Sequence, residues 1–157
     1  MRCAAGITLC LFLTLAVMHA QTSATSKGTH MHAAGPFDVK ATPQDDKLND
    51  GLSRMLLEKQ YHGQLEATSK GQMLAIRPGN GSGAYVALET ITGTLQGKSG
   101  SFALYHAGVM SKGVPTLSVN VVPDSGTGQL QGIEGKMTIN IDHGKHSYDF
   151  EYMLPTE

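Results

Sequence analysis

The stretch YVALETITGTLQGKSGSFALYHAGVM, Tyr85 to Met110, decides the fold. Its first half sets Tyr85, Ala87, Glu89, Ile91, Gly93 and Leu95 on one side of an extended chain. Its second half does the same with Phe102, Leu104, His106, Gly108 and Met110. A period of two, rich in β-branched and aromatic residues, marks a strand. The polar and glycine residues between the runs, around Gly97-Lys98-Ser99, are turn chemistry, so the two runs fold back as an antiparallel hairpin.

The same device recurs from Pro36-Phe37 to Leu154. Strands are expected near 37–42, 53–67, 70–77, 84–96, 100–110, 115–122, 129–141 and 146–153. The later breaks are short: Pro78 to Gly83, Ser111 to Gly113, Pro123 to Gly128 and Asp142 to Lys145. Asn80-Gly81-Ser82 matches a glycosylation sequon but is read as ordinary turn chemistry. The one helical candidate, Asp45 to Gly51, reads equally well as a loop. Eight short strands without helical partners must bury their apolar faces on one another. A meander with uniformly short connections closes into a barrel and leaves no open edge, whereas a two-sheet sandwich needs some longer crossings. The expected class is therefore all-β, an eight-stranded antiparallel barrel with little or no helix.

The segment VVPDSGTGQLQGIEG, Val121 to Gly135, imitates a nucleotide-binding loop. Such a loop leads from a strand into a helix whose first N–H groups hold the phosphate. Here the glycines lead into Met137-Thr138-Ile139-Asn140-Ile141, which alternates like a strand. The segment is read as a barrel corner.

At the other end, MRCAAGITLCLFLTLAVMHA carries one charge, Arg2, before an apolar run. The run is shorter than the roughly 20 residues of a spanning helix and reads as a secretory signal peptide over residues 1–20. Cleavage is expected after Ala20 or after Ala24, giving a periplasmic or secreted protein that no membrane segment retains. Residues 21–35 read as a flexible tether, and a single barrel domain is expected over 36–157. Both cysteines, Cys3 and Cys10, fall in the leader, so the mature chain has no disulfide, thiolate metal site or cysteine nucleophile. The chain has 12 basic and 13 acidic residues. Removal of Arg2 with the leader leaves 11 against 13, a net charge of −2, with neither sign clustered. Nothing resembles the basic stripe that nucleic acid requires.

Alternation also sorts the polar residues by face. In the hairpin, Phe102 is expected against Gly93 or Leu95, and His106 against Glu89 or Ile91. Glu89 and His106 are then direct or diagonal neighbours on a mostly apolar face. A carboxylate beside an imidazole in a poorly solvated barrel can serve as acid or base, or orient a polar ligand group. The same pair can equally be a hydrogen-bonded core contact, and both faces of these strands carry some apolar residues. Tyr148, Phe150 and Tyr152 share one face of the last strand. With Tyr85, the two tyrosines are candidates for ligand contact, against a plain core role. On the second strand, Met55, Leu57, Tyr61 and Leu65 oppose Glu58, Gln60, His62, Gln64 and Glu66, a face expected to be wet. His30 with His32, and His143 with His146, fall short of a metal site, and neither metal nor cofactor is expected.

The segments YHGQLEATSKGQML, YVALETITGTLQGKSGSFALYHAG and VVPDSGTGQLQGIEG resemble the signature segments of a bacterial family, domain of unknown function 3224. The likeness runs from about Phe37 to Leu154. It implies an eight-stranded antiparallel barrel similar to that of allene oxide cyclase, one that can pair as a dimer. It implies no reaction, since fold alone sets no substrate. The functional expectation is an exported, non-catalytic barrel that binds a small apolar molecule or another protein. The alternative is a cavity isomerase or cyclase using Glu89 and His106.

Overall fold

The computed structural model describes residues 28–45 and 51–156. The expected signal peptide, both expected cleavage positions and most of the short helical candidate lie outside them. Eight strands follow in chain order: β1 Gly28–Gln44, β2 Leu52–Tyr61, β3 Leu65–Gly79, β4 Ser82–Leu95, β5 Lys98–Ser111, β6 Val114–Val121, β7 Glu134–Asp142 and β8 Lys145–Pro155. Each pairs antiparallel with the next, and β1 pairs with β8, so the sheet closes into a barrel. The expected class holds. Among the described residues the departure from strand and turn is one 3-10 turn, Gly128–Leu130.

Closure buries one face of every strand. Tyr61, Leu65, Leu95, Phe102, Phe150 and Tyr152 fill one end of the barrel. Phe150 stacks on Phe102 with centroids 5.6 Å apart and on Tyr152 at 5.1 Å. Offset aromatic contacts of this kind stabilise by about 0.5–1.5 kcal/mol beyond the area they bury. The wall is weakest between β6 and β7, whose ladder is the single pair Asn120 and Lys136.

Four expectations are corrected. Residues 28–35 are not tether: they extend β1 along β8, with Ala33 buried against Phe150 and His32 Nε2 2.7 Å from Asp149 Oδ1. Their mix of histidines with alanine and glycine lacks the β-branched and aromatic alternation that marks the other strands. The expected strand 53–67 is broken at His62-Gly63-Gln64, and the break expected near Ser69 is instead the middle of β3. Residues 129–133 form the 3-10 turn and its exit, anchored by the buried Leu130 and Ile133. Finally, the β4–β5 turn is the two-residue Gln96-Gly97, with φ of 47° and 82°. Two successive positive φ values give the turn whose twist matches that of a hairpin. Pairing therefore sets His106 against Ala87 and Phe102 against Ile91.

Candidate functional site

Glu89 and His106 both point into the barrel, 2% and 4% exposed. They are diagonal neighbours, because Glu89 faces Leu104 while His106 faces Ala87. Nε2 of His106 lies 2.9 Å from Oε1 of Glu89. The structure thus brings the sequence-derived pair together and adds three residues to it. Lys59 Nζ donates to Oε1 at 2.8 Å, Tyr61 Oη to Oε1 at 3.1 Å, and Ser69 Oγ to Oε2 at 2.5 Å. Lys59 also donates to Tyr61 Oη at 3.3 Å and sits 5.3 Å from the Phe37 ring centroid. Each partner of Glu89 is a donor, and an ionised carboxylate only accepts, so the His106 Nε2 carries its proton.

Lys59 lies on β2 and Glu89 on β4, with β3 between them. They reach each other over β3 because its inward residues there are small. Ser69 faces Lys59, and Gly71 faces both Leu57 and Glu89. A Cβ on Gly71 would collide with the Leu88 carbonyl oxygen and come within 2.7 Å of the Glu89 Cβ. This close approach explains a glycine in mid-strand. Sequence reading missed Lys59, although it shares the parity of Leu57 and Tyr61, because a lysine on that face reads as an exception.

Burial alone would raise the Glu89 pKa. The His106 hydrogen bond, the Lys59 charge and hydrogen bond, and the Ser69 hydroxyl outweigh it and hold the carboxyl at about 2. The Tyr61 phenol is pushed far above its ordinary range by burial and by the Glu89 charge beside it. Glu89 is therefore a poor base near neutral pH. In an acid–base role it would orient His106 by its Nε2–H, leaving Nδ1 as the basic nitrogen.

The three candidate tyrosines separate. Tyr148 accepts a hydrogen bond from the Leu65 N–H at 2.8 Å and donates to the His62 carbonyl at 3.1 Å. Tyr152 donates to Gln96 Oε1 at 2.9 Å. Both are core residues whose hydroxyls are committed to the protein. Tyr85 is half-buried and lays its ring over Gly108, and burial together with the Glu89 charge raises its pKa. On the wet face, His62 lies 3.6 Å from Asp38 and 3.8 Å from Glu66, and both carboxylates are exposed.

A large concavity lies against the outside of the barrel wall that carries Glu89 and His106. A groove of about 870 Å³ crosses the outer face of β2–β5, with walls that include Leu74, Val86, Leu88, Thr90 and Tyr105. The outward residues form rows across the strands. Leu56, Gln72, Leu88 and Tyr105 make one, and Arg54, Leu74, Val86 and Ala107 the next. Leu88 is 62% exposed and Val86 57%.

Residues 33–152 match the family model described as "Protein of unknown function (DUF3224)". No curated protein matches the chain. Among solved structures, it is similar to a protein of unknown function from the DUF3224 family of Shewanella oneidensis. The two are 42% identical, the match covers 82% of this chain and 100% of the other, and the TM-score is 0.75. With most of its length matched by the family model, the chain belongs to the DUF3224 family.

Proposed function

We propose that this protein is an exported, non-catalytic interaction barrel that works through the outer face of β2–β5. The observation that carries this reading is the apolar groove across that face, whose prominent side chains Val86 and Leu88 are mostly in water. Exposed apolar patches of this extent mark binding surfaces on soluble proteins. The interior argues the same way from the opposite side. Its carboxylate is surrounded by donors, and its aromatic end is filled by side chains packed on one another. Of the two kinds of binding expected, protein interaction is favoured, since the groove is open along a broad sheet face rather than enclosed. Export rests on the leader sequence, and the likeness to the allene oxide cyclase barrel on the eight-stranded meander.

Dye binding tests the surface. At sub-micromolar protein concentration, 1-anilinonaphthalene-8-sulfonate is expected to fluoresce with the wild type and to lose most of that signal with Leu88→Glu or Val86→Glu. Equal signal from all three proteins would refute the outer-face reading. N-terminal sequencing of exported protein tests the leader, and an intact Met1 in soluble protein would remove export from the proposal.

A second reading, the cavity isomerase, draws support from the hydrogen bond between Glu89 and His106. It requires substrate to reach His106 Nδ1. Native mass spectrometry of freshly purified protein would favour it if a small molecule co-purifies and His106→Gln releases that molecule.

A further inference from the structure

Resting on the outer-face reading, we infer that the occupant of the β2–β5 face is a second copy of this chain, packed face to face about a two-fold axis. The first argument is area. Leu52, Leu56, Leu74, Ile76, Val86, Leu88, Tyr105 and Val109 lie in adjoining rows and are 37–62% exposed. Together they present on the order of 700 Å², close to the ~800 Å² each partner contributes to a standard stable interface. That exceeds the largest apolar patch of a typical monomer, roughly 300–600 Å².

The second argument is charge. Two copies of one surface bring like residues together, so a self-pairing face must keep charge off its centre. The central row, Leu56, Gln72, Leu88 and Tyr105, contains none. The cations beside it, Arg54 and Lys70, both lie on the β2–β3 side. A two-fold axis running along β4 sets the β2–β3 side of one copy over the β5–β6 side of the other. The outward residues there, Ala103, Tyr105, Ala107, Ser118 and Asn120, are uncharged, so the cations meet no like charge.

The third is shape. Outward side chains on a pleated sheet interdigitate with those of another sheet at about 10 Å spacing, as in two-layer β proteins. Leu88 and Val86 project, and the groove beside them gives a partner's projecting side chains somewhere to go.

Sedimentation velocity on the purified full chain, from sub-micromolar to several hundred micromolar, tests the inference. The wild type is expected to pass from monomer to dimer. Leu88→Glu and Val109→Glu are expected to stay monomeric with unchanged circular dichroism and unchanged melting temperature. The surface pair variant Lys136→Ala should dimerise like the wild type. As the wild type dimerises, anilinonaphthalene fluorescence per chain should fall, because the dye and the second copy compete. A wild type that remains monomeric throughout overturns the inference, as does a dimer that both glutamate variants leave intact. If the wild type is monomeric while Leu88→Glu still abolishes dye binding, only the occupant is wrong. If dye binding also ignores Leu88, the outer-face reading falls with it.

Discussion

Replacing Glu89 by Gln removes one charge from the centre of the barrel and leaves the Lys59 ammonium there, with its side chain 5% exposed. Two routes give the size of the effect. A carboxyl held at about 2, against an ordinary 4.5, contributes roughly 3 kcal/mol at neutral pH. Removing one partner of a buried ion pair costs about 3–5 kcal/mol, because the remaining charge is stranded. The two agree, and either is a large share of the roughly 5–15 kcal/mol that holds a small domain together. The sign follows from the direction of the shift. The folded pKa lies below the unfolded one, so the contribution is fully present above about pH 4.5 and drains away as pH falls towards 2. Urea unfolding followed by circular dichroism is the assay, at neutral pH and at steps down to pH 2. The wild type should lose stability over that acid limb; Glu89→Gln should start lower and lack most of the limb. Lys59→Met combined with Glu89→Gln should recover much of the loss, since the stranded ammonium is gone. A Glu89→Gln protein within about 1 kcal/mol of the wild type, or a double variant in which the two losses simply add, would refute the ion-pair reasoning.

Other positions are sharper in mechanism and smaller in effect. Gly71→Ala should lose about 1–3 kcal/mol in urea titrations, as the added methyl drives β3 against the Glu89 Cβ and the Leu88 carbonyl. It should also weaken the Glu89 acid limb, since the carboxylate must shift. Tyr148→Phe deletes a hydroxyl that bonds both the Leu65 N–H and the His62 carbonyl; a loss of about 1–3 kcal/mol is expected, with faster amide exchange at Leu65. Lys136→Ala removes an exposed partner of Glu151, and calorimetry should show no measurable change in melting temperature.

The Glu89 network explains why the site was only half legible. Glu89 and His106 sit on sequence-adjacent strands, so hairpin geometry alone made them neighbours within one diagonal step. Lys59 comes from a strand that touches neither of theirs. Its place in the network depends on barrel curvature and on the small inner surface of Ser69 and Gly71, which no local propensity encodes. The same small residues led strand reading astray, because Ser69-Lys70-Gly71 has turn composition and yet is paired along its length. The hairpin register failed for a similar reason: Gly97, Lys98 and Ser99 all suit a turn, and the choice of Gln96-Gly97 is made by twist matching between the strands.

Alternation of apolar and polar residues, by itself, determined that the domain is a meander of eight antiparallel strands, because the side-chain period of a strand is two. Short turn-forming connections then left closure as the way to cover the edges. Which face would turn inward was another matter. Val86 and Leu88 are as apolar as Ala87 and Ile91, so burial on either side was available to β4. Only the closed barrel decided it: the donors on Lys59, Tyr61, Ser69 and His106 converge on Glu89 inside, where an unpaired carboxylate could not stay charged, and leucine and valine are left in water on the outside.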